Sequence, residues 1–270
     1  MSTCRIALLI GLLAGLAACA SGPVPVSPDP VVVYAAGSLR DALGEVARDH
    51  ESRTGQKLSL SFGPSGLLRE RIEKGEAAQV FTSADTQHPQ RLADAGGWQP
   101  PRVFVRNGLC ALAQPGVETS TAQLLETLLR PDIRVGISTP RADPSGDYAF
   151  ALFAKADTLR PGSRQILETK ALQLTGGPTS PAAPAGRNLY SWVMEQDRAD
   201  VFLTYCTNAL AARKERPSLK VVQIPPDLQV GAEYGLTVRT GAPVQATYFA
   251  RVLLEPSAQT ILARHGFLAP

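Results

Sequence analysis

The chain has 270 residues, of which 44% are hydrophobic and 19% charged; that is enough apolar material for a large buried core and too much for a disordered chain. A net charge of +3 excludes a strong electrostatic drive toward nucleic acid, and three His and four Cys exclude a His-rich metal centre and a disulfide-dense scaffold. The 22 Pro and 23 Gly are many for a helical bundle and suit short strand–loop–helix units.

The first twenty residues read as an export signal. Arg5 gives a short positive start, and residues 6–16 form an apolar run well short of the roughly 20 residues that span a bilayer. Leu16-Ala17-Ala18-Cys19 matches the lipobox of bacterial lipoproteins, in which the Cys is lipidated and becomes the new N-terminus. Small residues at both ends of Ala18-Cys19-Ala20 also fit ordinary signal cleavage. The expectation is a signal peptide over 1–20 with Cys19 lipidated, then a Pro-rich, semi-rigid tether over 21–30. Either cleavage delivers the protein to the bacterial envelope.

From Val31 onward strand-like and helix-like segments alternate. Val31-Val32-Val33-Tyr34 is a continuous apolar run, as in a strand buried on both faces. Residues 39–53 carry apolar side chains at helical spacing, and Gly55 stands where the helix should stop. Strands are predicted over 57–62, 79–83, 100–105, 109–113, 133–137, 201–205, 220–224 and 234–238. Helices are predicted over 67–74, 88–95, 123–129, 148–156, 163–172, 189–195, 208–214, 244–254 and 257–265. Residues 176–186 (GGPTSPAAPAG) have no period and read as a loop. Such alternation indicates an α/β fold of right-handed βαβ units, mainly parallel sheets with helices on both faces. No flexible linker divides the chain after Pro30, so two lobes would have to be joined by ordered crossings.

Three places share one local grammar of strand, tight Gly/Pro turn, Ser and helix. They end at Ser38 after Ala36-Gly37, at Ser65 within Gly63-Pro64-Ser65-Gly66, and at Ser145-Gly146 after residues 138–144. Each Ser stands at a good N-cap position, and Ser38 with Asp41 resembles a capping box. A helix N-terminus carries unpaired N–H groups and the positive end of the helix dipole. In open α/β sheets these ends gather at the carboxyl edge of the strands, where ligands bind. Three of them, each with a hydroxyl, suit a small oxyanion; the plain alternative is that each Ser is only a cap. Catalysis finds no support. There is no G-x-S-x-G elbow, no S-x-x-K at these serines, no phosphate loop and no metal-ligand spacing. His50, His88 and His265 lie in charged helical stretches and read as solvated.

The sequence resembles the periplasmic molybdate-binding proteins of ABC importers, which are two-lobed type II solute-binding proteins. The resemblance runs from about Val31 to Phe267. Its most specific pieces are Val33-Tyr34-Ala35-Ala36-Gly37-Ser38-Leu39, Phe62-Gly63-Pro64-Ser65-Gly66-Leu67-Leu68, Ile72-Glu73-Lys74-Gly75, Val80-Phe81-Thr82-Ser83-Ala84-Asp85 and residues 261–267. It implies hydroxyl donors at Ser38 and Ser65, a backbone amide at Ser145 and a phenol at Tyr205. It further implies lobe 1 over 31–113 plus 231–270, lobe 2 over 114–230, and a cleft between them. The implied role is capture of a small oxyanion, molybdate or tungstate, for an inner-membrane ABC permease. The ligand would be cargo, with no cofactor, no catalytic residue and no chemistry performed on it, and the protein would act as a monomer. The alternative is an envelope lipoprotein that senses an anion, or binds a different one, without transport.

The sequence also departs from that family's pattern. Asp147 stands where an apolar residue is usual, and a carboxylate beside a dianion is unfavourable unless it is paired or turned away. Gly186-Arg187-Asn188 offers a charge and an amide where a plain backbone is usual. Arg187 and Asn188 are therefore further candidates for the ligand, with Arg187 also able to neutralise Asp147 or to be a surface residue. Two cysteines remain after processing at Cys19, namely Cys110 and Cys206. They either pair in the oxidising envelope or act as separate small apolar residues.

Overall fold

A computed structural model describes residues 25–270. The leader and Cys19 lie outside the described residues, as does the tether ahead of Pro25. Among the described residues no helix is long and apolar enough to cross a membrane.

The apolar run at the start of the fold becomes β1 (Val31–Ala36), buried along nearly its whole length. A 3-10 turn over Gly37–Leu39 leads into α1 (Arg40–Thr54), which Gly55 ends in the left-handed conformation at φ 77°. The next units are β2 (Leu58–Gly63), α2 (Ser65–Glu73), β3 (Val80–Ser83) and α3 (Gln87–Asp94). β1 pairs in parallel with β2 and β3. After α3 the chain enters the twelve-residue β4 (Arg102–Ala113). The sequence predicts two strands here, over 100–105 and 109–113, because Arg106-Asn107-Gly108 breaks the apolar run. The structure keeps one strand and exchanges its partners at that point.

The rest of the chain builds a second set of units. These are α4 (Leu124–Leu129), β5 (Val135–Ser138), α5 (Pro144–Leu159), α6 (Ser163–Lys170), β6 (Leu172–Thr175), α7 (Leu189–Glu195), β7 (Val201–Tyr205), α8 (Cys206–Glu215) and β8 (Lys220–Gln223). β9 (Gly231–Val238) then returns to the first set, and α9 (Val244–Val252) and α10 (Pro256–Arg264) close the chain there.

Residues 102–108 of β4 pair antiparallel with β9, whereas residues 109–113 pair antiparallel with β7 and β8. The strand order is β2-β1-β3-β9-β4-β7-β5-β6, with β8 also on β4. The strands thus form one continuous path, and β4 changes partners between Gly108, paired with β9, and Leu109, paired with β7. Inside each lobe the βαβ units are parallel, including β5 with β6 and β7. The ladders at the crossing are antiparallel because the chain passes outward along β4 and comes back along β7, β8 and β9. The helix predicted over 163–172 ends at Lys170, and the short β6 follows it over Leu172–Thr175, where no strand is predicted.

A disulfide joins Cys110 of β4 to Cys206, the first residue of α8, with Cα atoms 4.7 Å apart. Register explains the closeness: Cys110 faces Thr204 across the β4–β7 ladder, two residues before Cys206. Phe104, Phe153, Phe202 and Phe249 are fully buried between sheet and helices, each worth about 3–5 kcal/mol against truncation to Ala.

Candidate functional site

The carboxyl ends of β1, β2 and β3 in one lobe face the loop before α5 and the end of β7 in the other. At the first end, Ser38 sits inside the 3-10 turn; at the second, Ser65 is the first residue of α2; in the other lobe, Ser145 is the second residue of α5. None of the three serines is an N-cap. The residues with extended backbone ahead of each helical turn are Ala36, Pro64 and Asp143, so every Ser falls inside the first turn. The capping box at Ser38 and Asp41 does not form, since α1 starts after Leu39 with no side-chain cap. Asp143 caps α5 instead, accepting from Ser145 N at 3.1 Å, with Pro144 in the first helical turn.

The hydroxyls are thereby released for other partners. Ser65 Oγ accepts from Ala84 N at 3.1 Å, which leaves its own hydrogen free to donate. Ser38 Oγ lies 2.8 Å from Tyr234 Oη. Ser145 Oγ is buried and has no hydrogen-bond partner among the described residues. Tyr205, also buried, donates to Ala84 O at 3.4 Å, and its ring meets those of Tyr234 and Tyr148 edge-on at 5.5 and 6.2 Å. Burial pushes the Tyr205 and Tyr234 phenols well above their ordinary range, so both remain O–H donors at neutral pH. Ser38, Ser65, Ser145 and Tyr205 thus gather at the seam between the lobes, with Tyr148 and Tyr234 beside them.

The lobes touch at this seam. Gly66 N donates to Ala142 O at 2.9 Å, from α2 of one lobe to the loop before α5 of the other. A Cβ on Gly66 would lie 2.4 Å from Arg141 O and 2.8 Å from Ala142 O. Only glycine admits so close an approach. Arg141 itself is left-handed at φ 68°, and both carboxylate oxygens of Asp147 accept its N–H, at 2.9 and 3.1 Å. The Asp147 carboxylate is held on a backbone N–H rather than paired with Arg187.

Three carboxyls border the seam. Ser83 Oγ and His88 N both donate to Asp85 Oδ1, at 2.8 and 3.1 Å. Burial pushes Asp147 above the usual carboxylate range, and pushes Asp143 up to about 6.

Arg187 and Asn188 do not join this group. Arg187 pairs with Glu195 at 2.6 Å and Glu215 at 2.8 Å, and Asn188 caps α7 by accepting from Tyr190 N and Ser191 N. Glu215 ends the ten-residue α8, whose start adjoins Tyr205, so it stands about 14 Å along the helix from the site. The histidines also differ from expectation. His50 and His88 are buried, His50 against Tyr248 and Phe249, and His265 pairs with Glu45 at 2.8 Å. Sequence reasoning missed Gly66, Asp143, Tyr148 and Tyr234. Gly66 and Asp143 carried a readable signal, a Gly inside a helix start and an Asp before Pro.

Residues 31–268 match the family described as bacterial extracellular solute-binding protein. The chain is 36% identical to the uncharacterized protein PM1146 of Pasteurella multocida over 209 residues, covering 77% of this chain and 86% of that one. It is 26% identical to the molybdate-binding protein ModA of Mycobacterium tuberculosis over 273 residues, covering 96% and 95%. Among solved structures, the periplasmic molybdate-binding protein of Azotobacter vinelandii superposes with a TM-score of 0.69 at 19% identity, covering 89% of this chain and 99% of that one. The family consists of the substrate-binding proteins of transporters and not of enzymes. With its two lobes, shared crossing strand and cluster of donors at the seam, the chain belongs to the bacterial extracellular solute-binding proteins, in the type II fold of the molybdate binders.

Proposed function

We propose that the protein captures a small tetrahedral oxyanion, molybdate or tungstate, between its lobes and presents it to an inner-membrane ABC permease. The observation that carries this reading is the Ser145 hydroxyl, 0% exposed and without a partner among the described residues. Leaving such a group unsatisfied costs about 1–3 kcal/mol, and an oxyanion oxygen is the acceptor it lacks. Ser38 and Ser65 add two hydroxyl donors, and Tyr205 would add a third by turning its hydrogen from Ala84 O to the ligand. The α5 helix adds the positive end of its dipole, whereas the amide expected at Ser145 already donates to Asp143 Oδ1 and that of Gly146 to Asp143 O. Neutral donors of this kind suit an anion that must be released again. Molybdate and tungstate only accept hydrogen bonds at neutral pH, whereas phosphate carries a proton and needs an acceptor. Arg187 and Asn188 are not part of the proposed ligand set. Lipidation at Cys19 would tether the protein to the membrane while it works in the periplasm.

A second reading rests on Asp143. A carboxyl pushed up to about 6 beside Ser145 is an acceptor for a protonated oxyanion, such as phosphate or a phosphate ester. The experiment is a thermal-shift and calorimetric screen of the mature protein against molybdate, tungstate, sulfate, thiosulfate and phosphate. A ligand at a thousandfold its Kd adds about 4 kcal/mol to stability. Molybdate or tungstate should give the largest shift. A larger shift with phosphate selects the second reading, and silence toward molybdate and tungstate at millimolar concentration refutes the first.

A further inference from the structure

We infer that Asn107 and Tyr234 form a one-way hydrogen-bond relay that leaves the Ser38 hydrogen free for the ligand, which makes both of them positioning residues for anion capture. The inference rests on the oxyanion reading above and assigns a role to residues outside the ligand set.

The direction of the relay follows from the donors available. Gly108 N donates to Asn107 Oδ1 at 3.0 Å, which fixes the orientation of that amide. Asn107 Nδ2 then faces Thr207 Oγ1 at 2.9 Å and Tyr234 Oη at 3.3 Å, and Nδ2 can only donate. Tyr234 is 0% exposed, and its hydroxyl has two polar neighbours among the described residues, Asn107 Nδ2 and Ser38 Oγ. The first is itself a donor, so the phenol hydrogen must go to Ser38; otherwise it would be a buried donor without an acceptor. Ser38 Oγ therefore accepts from Tyr234, and its own hydrogen is left without an acceptor among the described residues. A serine hydroxyl able to turn either way would present a lone pair to an anion part of the time; this one is held as a donor. The relay begins at Asn107 and Gly108, where β4 changes from one lobe's sheet to the other's. Nothing local in the sequence announces it, because Ser38 and Tyr234 are 196 positions apart.

The test is a mutant cycle read by calorimetry with sodium molybdate, joined to proton NMR of the ligand-free protein. Ser38→Ala should weaken binding by about ten- to a hundredfold. Tyr234→Phe should weaken it by about three- to tenfold alone, and by nothing further in the Ser38→Ala background. A role in packing alone would cost the same in both backgrounds, and that result overturns the relay. Asn107→Asp turns the donor into an acceptor and reverses the chain, so that Ser38 donates to the phenol; it should lose at least as much affinity as Ser38→Ala, while Asn107→Ala loses less. If Asn107→Asp fails to fold, the cycle of Ser38 with Tyr234 still decides. The ligand-free arm follows the buried Tyr234 hydroxyl proton, assigned by its absence in Tyr234→Phe. Ser38→Ala should shift or broaden it strongly, and an unmoved resonance overturns the relay. A strong shift together with no binding of molybdate or tungstate in the wild type upholds the relay and refutes the molybdate and tungstate reading instead.

Discussion

Gly66→Ala should open the cleft without harming the fold. In the closed arrangement the new methyl would stand 2.4 Å from Arg141 O and 2.8 Å from Ala142 O, and both are backbone atoms that cannot rotate aside. Relief requires the lobes to separate, which also breaks the 2.9 Å bond from Gly66 N to Ala142 O. Overpacking costs about 1–3 kcal/mol, and the hydrogen bond adds about 0.5–1.5 kcal/mol. Only the closed form surrounds the ligand with donors from both lobes, so the whole penalty falls on affinity. At about 1.4 kcal/mol per decade, Kd should rise roughly tenfold to a thousandfold. The ligand-free melting temperature should hold or rise, since Ala favours a helix over Gly by about 0.5–1 kcal/mol. Calorimetry supplies Kd, and small-angle scattering of the ligand-free variant should report a larger radius of gyration. Wild-type affinity in Gly66→Ala would show that the lobes need not meet at this point, and would refute the argument.

Ser145→Ala should act with opposite signs on two readouts: anion affinity falls about ten- to a hundredfold, while ligand-free stability holds or rises, because an unpartnered buried hydroxyl is removed. A fall in both would mean the hydroxyl already has a structural partner. Reducing the Cys110–Cys206 bond, which closes a separation of 96 residues, should lower stability by up to about 4–5 kcal/mol on the chain-entropy model; denaturant melts with and without reductant measure this, and coincident curves contradict it. Asp143 is raised to about 6 in the fold, against about 3.9 in an unfolded chain. Its contribution to stability is therefore complete below about pH 4 and lost as pH rises to about 6. Asp143→Asn, which keeps an N-cap, should flatten that slope in melts across the range and strengthen anion binding at pH 7 by removing a nearby negative charge. Cys19→Ala should move the protein from the membrane fraction to the soluble periplasmic fraction, whereas equal partition of variant and wild type would favour ordinary signal cleavage.

The order of strands and helices could be read from the chain because each βαβ unit has its own period and its own stop signal, as at Val31-Val32-Val33 and Gly55. Ser38, Ser65 and Ser145 could be picked out because they follow strand ends and begin helices, and strand ends converge in an α/β sheet; Tyr205 came only with the family resemblance. The error there was one of phase: each Ser was placed at the cap and lies one or two residues inside it. That shift matters, because a capping serine spends a lone pair on its own helix, whereas these serines can take partners from other elements, Ser65 from Ala84 and Ser38 from Tyr234. Arg187 and Asn188 misled for another reason. Arg187 has its partners at Glu195 and Glu215, and nothing local connects it to Glu215, which lies on a helix two elements away. β4 looked like two strands because Arg106 and Asn107 interrupt its apolar pattern, and both have partners in β9, Glu233 for the arginine and Tyr234 for the amide. Tertiary partners of this kind leave no trace in spacing.

β4 has a consequence for how the protein falls apart. Neither lobe owns a complete sheet: remove residues 109–113 and the β7–β5–β6 ribbon loses its neighbour; remove residues 102–108 and β9 loses one. A fragment cut at the lobe boundary would expose a bare sheet edge on either side, an invitation to aggregate rather than to fold alone. Heat or denaturant should accordingly melt both halves in a single cooperative step, with calorimetric and van't Hoff enthalpies in agreement. Half-proteins of this family would be poor building blocks, and the two lobes survive or perish together.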